Sequence, residues 1–504
     1  MNHWIIAPVI LPALLAPFIV LVMRHDLSLQ RIFSTAGTAV LTAISLVLLY
    51  TASTNPPEVY FLGNWPAPFG IVLVLDRLSA MMIALTAVLA LLVQLYAISS
   101  GWDARGKHFH ALFQFQLMGI CGAFLTGDAF NLFVFFEVLL IASYGLMIHG
   151  GGANRLKAGV QYVAYNLVGS TLFLFALASI YSVTGTLNMA DLAVKVAELP
   201  AGDAALMRVG AVLLLLVFAV KGALVPLQFW LPATYSFAPG PVAALFAVMT
   251  KVGAYAVIRV YTLIFPPDTP STGLLFADIL LPAAIVTLIV GAIGVMGATG
   301  LARMVAFAAI GSMGTLFIAV AQFTPDALTA AFYYLVHSTL ATAILFLVVD
   351  LVQDRRVNDS LRAAAPPFGQ HGLIAALFFG GAIAMAGMPP LSGFLGKLLV
   401  LDATRGADMA VIWTAILVTS LITIIGFSRA GSQVFWKAHA TTTTQTRPEG
   451  KAEPLAFTVV FVLLLALAAL TILAGPVTDW LADTSAELFD RAAYINAVLT
   501  TAKE

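Results

Sequence analysis

KGALVPLQFWLPATYSFAPGPVAALFAVMTKVGAYAVIR, residues 221–259, joins two apolar helices and leaves an amine inside each. Lys221 closes a run of leucine, valine and phenylalanine, and Pro226 and Pro232 follow it. Lys251 lies inside the next apolar run. A proline within a helix frees a backbone carbonyl and bends the axis. In a bilayer such freed groups are tolerated only where protein or cavity water satisfies them. An amine retained there points to a bundle interior or a hydrated cavity rather than to lipid.

The rest of the chain fits that setting. It has 504 residues, 61% hydrophobic and 10% charged, against roughly 25% charged in a soluble domain. The composition therefore predicts an all-α, polytopic membrane protein. Apolar stretches long enough to cross the hydrocarbon recur from 4–23 to 455–475, about fourteen in all, with 72–98, 207–231 and 372–400 among them. Lys+Arg and Asp+Glu are equal at 24 each, which leaves no basic excess for nucleic acid. Cys121 is the single cysteine, so disulfides within the chain and cysteine metal clusters are excluded. The first apolar stretch lacks a basic leader and a nearby small-residue cleavage site, so it reads as a retained helix. The polar run 439–454 reads as a loop. In the tail, Trp480, Leu481, Leu488 and Ala492 recur at helical spacing, as in an interfacial helix.

Loops after odd-numbered helices carry most of the arginine and lysine, among them Arg24, Arg31, Arg105, Lys107, Arg155 and Lys157. The other side has Arg77, Lys195, Arg208, Arg259 and Arg405. This asymmetry places both termini on the outer, periplasmic side of a bacterial inner membrane.

Further ionisable groups lie inside apolar runs. Glu137 stands in NLFVFFEVLLIASYGL (131–146), Lys397 in GMPPLSGFLGKLLVL, and His337 in TAAFYYLVHSTLATAILF. A buried carboxylate needs a partner or takes up a proton. Snorkelling to the headgroups is the competing reading for each lysine, and a satisfied core histidine is the competing reading for His337. Asp128 reads as a turn residue, Arg259 as an anchor at its helix end, and the histidines of HFH (108–110) as solvated. Glu137 and Tyr144 share a face, as do Lys251, Tyr255 and Arg259; His337 shares its stripe with Tyr333 and Tyr334. These stripes predict faces that hold water. A second break, Gly387-Met388-Pro389-Pro390, precedes Lys397. One interrupted helix in each half, each beside an amine, points to paired repeats around a site near mid-membrane. The chain divides accordingly into N-terminal helices (1–109), a first repeat (110–263), a second repeat (273–432), and a last helix with its tail (433–504).

The run 221–259 resembles the core motif shared by Mrp-type cation/proton antiporters and the antiporter-like subunits of respiratory complex I. TGDAFNLFVFFEVLLIASYGL and AGMPPLSGFLGKLLVL resemble the D subunit of the Mrp antiporter. The resemblance covers roughly 70–430. It implies fourteen helices with two inverted five-helix repeats and a charged axis through mid-membrane. It also implies roles for Glu137, Lys221, Lys251 and Lys397, with a polar position matching His337. Many relatives have histidine where this chain has Gln228, and glutamine cannot titrate. The resemblance further implies companion antiporter subunits, protons and monovalent cations, Na+ foremost, as partners, in a transporter rather than an enzyme.

The residues themselves suggest a relay. If Glu137 pairs with Lys221 and then releases it, a proton passes from Lys221 toward Lys251, His337 and Lys397. No cofactor, metal or nucleotide motif accompanies these groups, so the drive is expected from an ion gradient or a partner subunit. The alternatives are a proton-pumping subunit of a complex I-like or hydrogenase-linked oxidoreductase, and a non-transporting scaffold. Replaceable apolar residues would serve a scaffold as well as the Glu–Lys set does.

Overall fold

The computed structural model describes residues 2–200, 202, 204–273, 275–356, 359–406, 408–441 and 453–500. Most of the expected 439–454 loop falls outside them. The described residues form nineteen α-helices and one two-stranded hairpin. Helices α1 (Ala7–Val22) and α2 (Leu27–Thr54) lead into strands β1 (Glu58–Phe61) and β2 (Val72–Leu75). Then come α3 (Arg77–Ser99), α4 (Phe109–Leu125), α5 (Ala129–Met147), α6 (Ala153–Thr184) and the short α7 (Met189–Glu198). The sequence 221–259 spans the end of α8 (Ala205–Lys221), α9 (Trp230–Phe237) and most of α10 (Gly240–Leu263). Beyond it lie α11 (Leu275–Gly297), α12 (Leu301–Val320), α13 (Pro325–Arg355), α14 (His371–Ala386), α15 (Ser392–Ala403), α16 (Met409–Gly431), α17 (Pro454–Ile472), α18 (Ala474–Phe489) and α19 (Arg491–Leu499).

The described chain is helical as expected, apart from this one short hairpin. Its strands are antiparallel, Glu58 opposite Leu75 and Phe61 opposite Val72. The stretch 72–98 looked like one helix because its hydropathy is continuous. Asp76 stops the helix from starting earlier: its side chain accepts from Ser79 N at 2.8 Å, while its own N–H donates to Ser79 Oγ at 2.9 Å. That reciprocal cap fixes the first turn at Arg77, and the β-branched Val72 and Val74 suit the strand before it.

Among the described residues, ten helices are long and apolar enough to cross a membrane. The expected spans 207–231 and 372–400 are both interrupted, as α8–α9 and α14–α15. Every residue of α10 is buried, and α12 and α13 are buried along nearly their whole length. They form the core, with α10 against α13, α8, α3 and α4. On α1, α2 and α17 the large apolar residues Leu14, Leu21, Val47 and Ile472 are exposed instead, as suits helices at the rim of a bundle in lipid. In lipid, close packing replaces the hydrophobic effect as the force that joins helices. Gly253 of α10 provides it at one crossing, where a Cβ would lie 2.6 Å from Gly222 N and 2.9 Å from Lys221 C.

The tail is two helices broken at Asp490. Leu481 and Leu488 are buried against the bundle as the spacing suggested, whereas Ala492, beyond the break, is exposed. Helix α18 packs on α13, α10 and α3. Asn2, Glu58, Ala493 and Ala497 line one surface pocket, so both described ends of the chain lie on the same face.

Candidate proton path

Lys221 is the last residue of α8, where the helix stops and the chain turns toward α9. Its ammonium is buried and donates to Asn166 Oδ1 of α6 at 2.9 Å, 5.8 Å from the centroid of the Phe136 ring. Trp230 Nε1 donates to the carbonyl of Val220 at 2.9 Å, so part of the helix end is satisfied from α9. The unpaired carbonyls of a helix C-terminus favour a cation there.

Glu137 lies half-buried on α5 and accepts a short hydrogen bond from Ser170 Oγ. It makes no ion pair within 4 Å of Lys221 among the described residues. Instead α6 stands between them. Asn166 and Ser170, four residues apart on one face, hold the amine and the carboxylate respectively. The direct Glu137–Lys221 contact expected from the sequence is thus replaced by a bridge through α6. Tyr144, on the same face of α5 as Glu137, stacks edge-on against Tyr162, whose hydroxyl meets Ser143 Oγ at 2.8 Å.

Lys251 is fully enclosed on α10, and the polar partner its ammonium finds is Met313 Sδ at 3.4 Å. A thioether is a weak acceptor, so this amine is the least satisfied of the three. Tyr255, one turn on, donates to Phe124 O at 2.6 Å, and Arg259 Nε donates to Tyr255 Oη at 3.3 Å. Arg259 is not a surface anchor. It is 3% exposed and clamps Asp76 with Nη1 at 2.5 Å and Nη2 at 2.8 Å. The pairing was hidden because the partners stand 183 residues apart.

His337 and Lys397 share the second break. His337 Nδ1 lies 2.9 Å from Ser392 Oγ. One ring nitrogen is thereby satisfied, in line with the core-histidine reading. Yet the histidine sits within electrostatic range of both Lys251 and Lys397. Lys397, six residues into the half-helix pair's second member, reaches back to donate to Ala386 O at 2.9 Å and to Ser420 Oγ at 2.8 Å. Gly387 makes room for it: φ is +78°, and a Cβ would lie 2.7 Å from Lys397 Cδ. Lys397 also borders a small internal cavity with Ser312, Thr315, Tyr334, Thr419 and Thr423. Tyr334 thus faces polar space, whereas Tyr333 turns away and donates to Leu470 O of α17 at 2.9 Å.

Other expectations resolve simply. Asp128 caps α5 through Asn131 N at 2.8 Å. His110 of HFH is buried against Asp103 at 3.1 Å, with Arg31 on the same carboxylate, while His108 is exposed. Gln228 is buried in the first break, and its Oε1 has no hydrogen-bond partner among the described residues.

Residues 126–423 match the family model described as NADH:quinone oxidoreductase/Mrp antiporter, TM. The chain belongs to this family. Among its antiporter members, the Na(+)/H(+) antiporter D subunit of Bacillus subtilis is 38% identical over 505 residues, covering 99% of this chain and 100% of the relative. The probable K(+)/H(+) antiporter D subunit of Rhizobium meliloti is 37% identical over 538 residues, covering 99% of this chain and 98% of the relative. A chain in the structure of the Mrp complex from Dietzia sp. DQ12-45-1b superposes with a TM-score of 0.90 at 27% identity, over 99% of this chain and 100% of that one. Like the family, the chain is a multi-pass membrane protein. The matched antiporter-family region encloses Glu137, Lys221, Lys251, His337, Lys397 and Arg259, and leaves Asp76 and the tail outside it.

Proposed function

We propose that this chain is the D subunit of a multi-subunit monovalent cation/proton antiporter and that it passes protons along Glu137, Lys221, Lys251, His337 and Lys397. One observation carries the reading. None of the three lysines has a carboxylate within ion-pair distance among the described residues; their acceptors are Asn166 Oδ1, Met313 Sδ, Ala386 O and Ser420 Oγ. A purely structural buried cation is normally ion-paired, as Arg259 is with Asp76. An amine on neutral acceptors in a dry site can give its proton up, because burial disfavours its charged form.

Glu137 acts on Lys221 through space and through α6. Protonation of Glu137 removes the negative charge that helps hold the proton on Lys221, which then moves by way of water and hydroxyls to Lys251 and on to His337 and Lys397. The unpartnered Gln228 Oε1 supplies an acceptor for water inside the first break, where the corresponding histidine of relatives would itself titrate.

The two breaks support the division into repeats 110–263 and 273–432 and a count of fourteen crossings, each broken pair being one crossing. The positive-inside asymmetry supports termini on the outer face of a bacterial inner membrane. The antiporter relatives, matched over their whole length, favour antiport with companion subunits over the complex I-like alternative, and a transporter over an enzyme. Na+ is the first cation to test.

The experiment is antiport by everted vesicles holding the whole complex. Glu137→Ala and Lys221→Ala are expected to abolish exchange while the complex still assembles. Lys221→Arg should fail too, since arginine does not deprotonate in proteins. Full transport by both alanine variants refutes the relay.

A further inference from the structure

We propose that Glu487 of α18 is the carboxylate through which the path exchanges protons with water on the face that carries both described chain ends. The proposal rests on the relay reading above and extends it to a mouth.

Lys251, Tyr255 and Arg259 follow one another at single-turn spacing along α10, from the relay toward the termini face. The line ends at the Arg259–Asp76 clamp. A small cavity opens beside it, lined by Pro57, Asp76, Arg259, Thr262, Glu487 and Tyr494. The tail helices close this cavity from outside, with the Tyr494 ring of α19 5.3 Å from the Arg259 guanidinium.

Two carboxylates face the cavity, and their situations differ. Asp76 is committed: it takes both Arg259 nitrogens and the N–H of Ser79. Burial opposes its charge, but Arg259 outweighs burial and holds its carboxyl below the usual range. Arginine keeps its proton, so neither member of this pair can carry one. Glu487 is loosely held. Oε1 accepts from Arg77 N at 3.3 Å, and Oε2 lies 3.4 Å from Arg77 Nε. One-fifth of its side chain is exposed, and the residue also lines the cavity.

The charged groups around Glu487 come from each neighbouring element. They are Arg77 and Asp76 at the start of α3, Arg259 of α10, Tyr494 of α19, and Asp483 of its own helix, which pairs with Arg77 Nη1 at 3.1 Å. Helix α13 meets α18 through Ser485, which donates to Pro325 O. Burial first, then the fixed charge of Asp76, push the Glu487 carboxyl up to about 7. The group therefore gains and loses a proton in the neutral range, receiving it from hydronium outside and giving it to water on the inner side of the cavity, which becomes hydronium in turn, or the reverse.

The test uses the complete antiporter complex in right-side-out and everted vesicles, with pH varied on the termini face alone. Wild type is expected to show a rate midpoint near the value of about 7 set by Glu487. Glu487→Gln should remove that midpoint and slow exchange by about 100-fold, the usual range for losing a proton-transfer group. Arg77→Gln removes the cation that touches Glu487 and should move the midpoint to higher pH, a readout independent of whether the Gln variant docks its tail. A wild-type rate and midpoint in Glu487→Gln, or an unmoved midpoint in Arg77→Gln, overturns the proposal. Lys251→Ala run in parallel separates the two readings. If it stops exchange while Glu487→Gln does not, the relay stands and the mouth lies elsewhere; if it runs at the wild-type rate, the relay itself fails.

Discussion

Asn166 and Ser170 give the amine and the carboxylate of the first repeat neutral partners on one face of α6. Leaving a buried donor without its hydrogen bond costs about 1–3 kcal/mol, and more when the group is charged. Asn166→Leu is therefore expected to make Lys221 release its proton more readily and to slow exchange by about 10- to 100-fold, measured as antiport rate at constant complex level. Wild-type exchange by Asn166→Leu would show that the amide is packing only. At this scale the sequence was partly legible. Glu137, the lysines and His337 stand out because an ionisable residue in an apolar run has few bland explanations. Asn166 and Ser170 do not, since amides and hydroxyls occur throughout α6 and only the three-dimensional approach of α5 and α8 singles out these two. Glu487 was hidden for the opposite reason, lying in a polar tail where a carboxylate attracts no notice.

Among the elements, the α8–α10 crossing is a tight contact next to Lys221 of the proposed relay. A Cβ on Gly253 would press into the backbone at Gly222 N, 2.6 Å away, and backbone cannot give way as a long side chain can. Gly253→Ala should destabilise the protein by about 1–3 kcal/mol through overpacking, seen as a lower unfolding temperature of the purified complex. Gly297→Ala, where a Cβ meets nothing within 4 Å, should leave it nearly unchanged. Equal temperatures for the two variants would mean that the crossing yields more easily than its geometry indicates. Both helix breaks were readable from proline and glycine placement. The hairpin was not, because Val72–Leu75 is as apolar as the helix it precedes and only the Asp76 cap tells them apart.

For the whole molecule, the Asp76–Arg259 clamp ties the start of α3 to the end of α10 beneath the tail. Removing one partner leaves a buried charge alone, a cost of about 3–5 kcal/mol. Arg259→Met should therefore depress assembly of the complex strongly, while Arg259→Met with Asp76→Asn should recover most of it, asparagine keeping the helix cap. Failure of the double variant to recover would assign the loss to shape rather than charge. The two carboxylates of this region also predict opposite pH limbs. Asp76, held low by Arg259, contributes stability that is present above the ordinary carboxylate range and lost as pH falls through its depressed value. Glu487, pushed up to about 7, contributes stability that is present at acid pH and lost as pH rises through that value. Thermal unfolding of the complex across pH, with Glu487→Gln lacking only the upper limb, checks the assignment. None of this was visible in the sequence, where Arg259 looked like an ordinary helix-end anchor, because a clamp across 183 residues leaves no local pattern.

Lys221 ends one half-helix, and Lys397 folds back onto the end of another. Peptide carbonyls never take up protons at physiological pH, so the attraction they exert on an ammonium is a permanent background, independent of how many protons the chain holds at that moment. Each amine keeps a seat even when every carboxylate nearby is neutral. In the proposed relay, evolution can then move or retune the acidic groups to change when a proton departs, without having to rebuild the place where it rests.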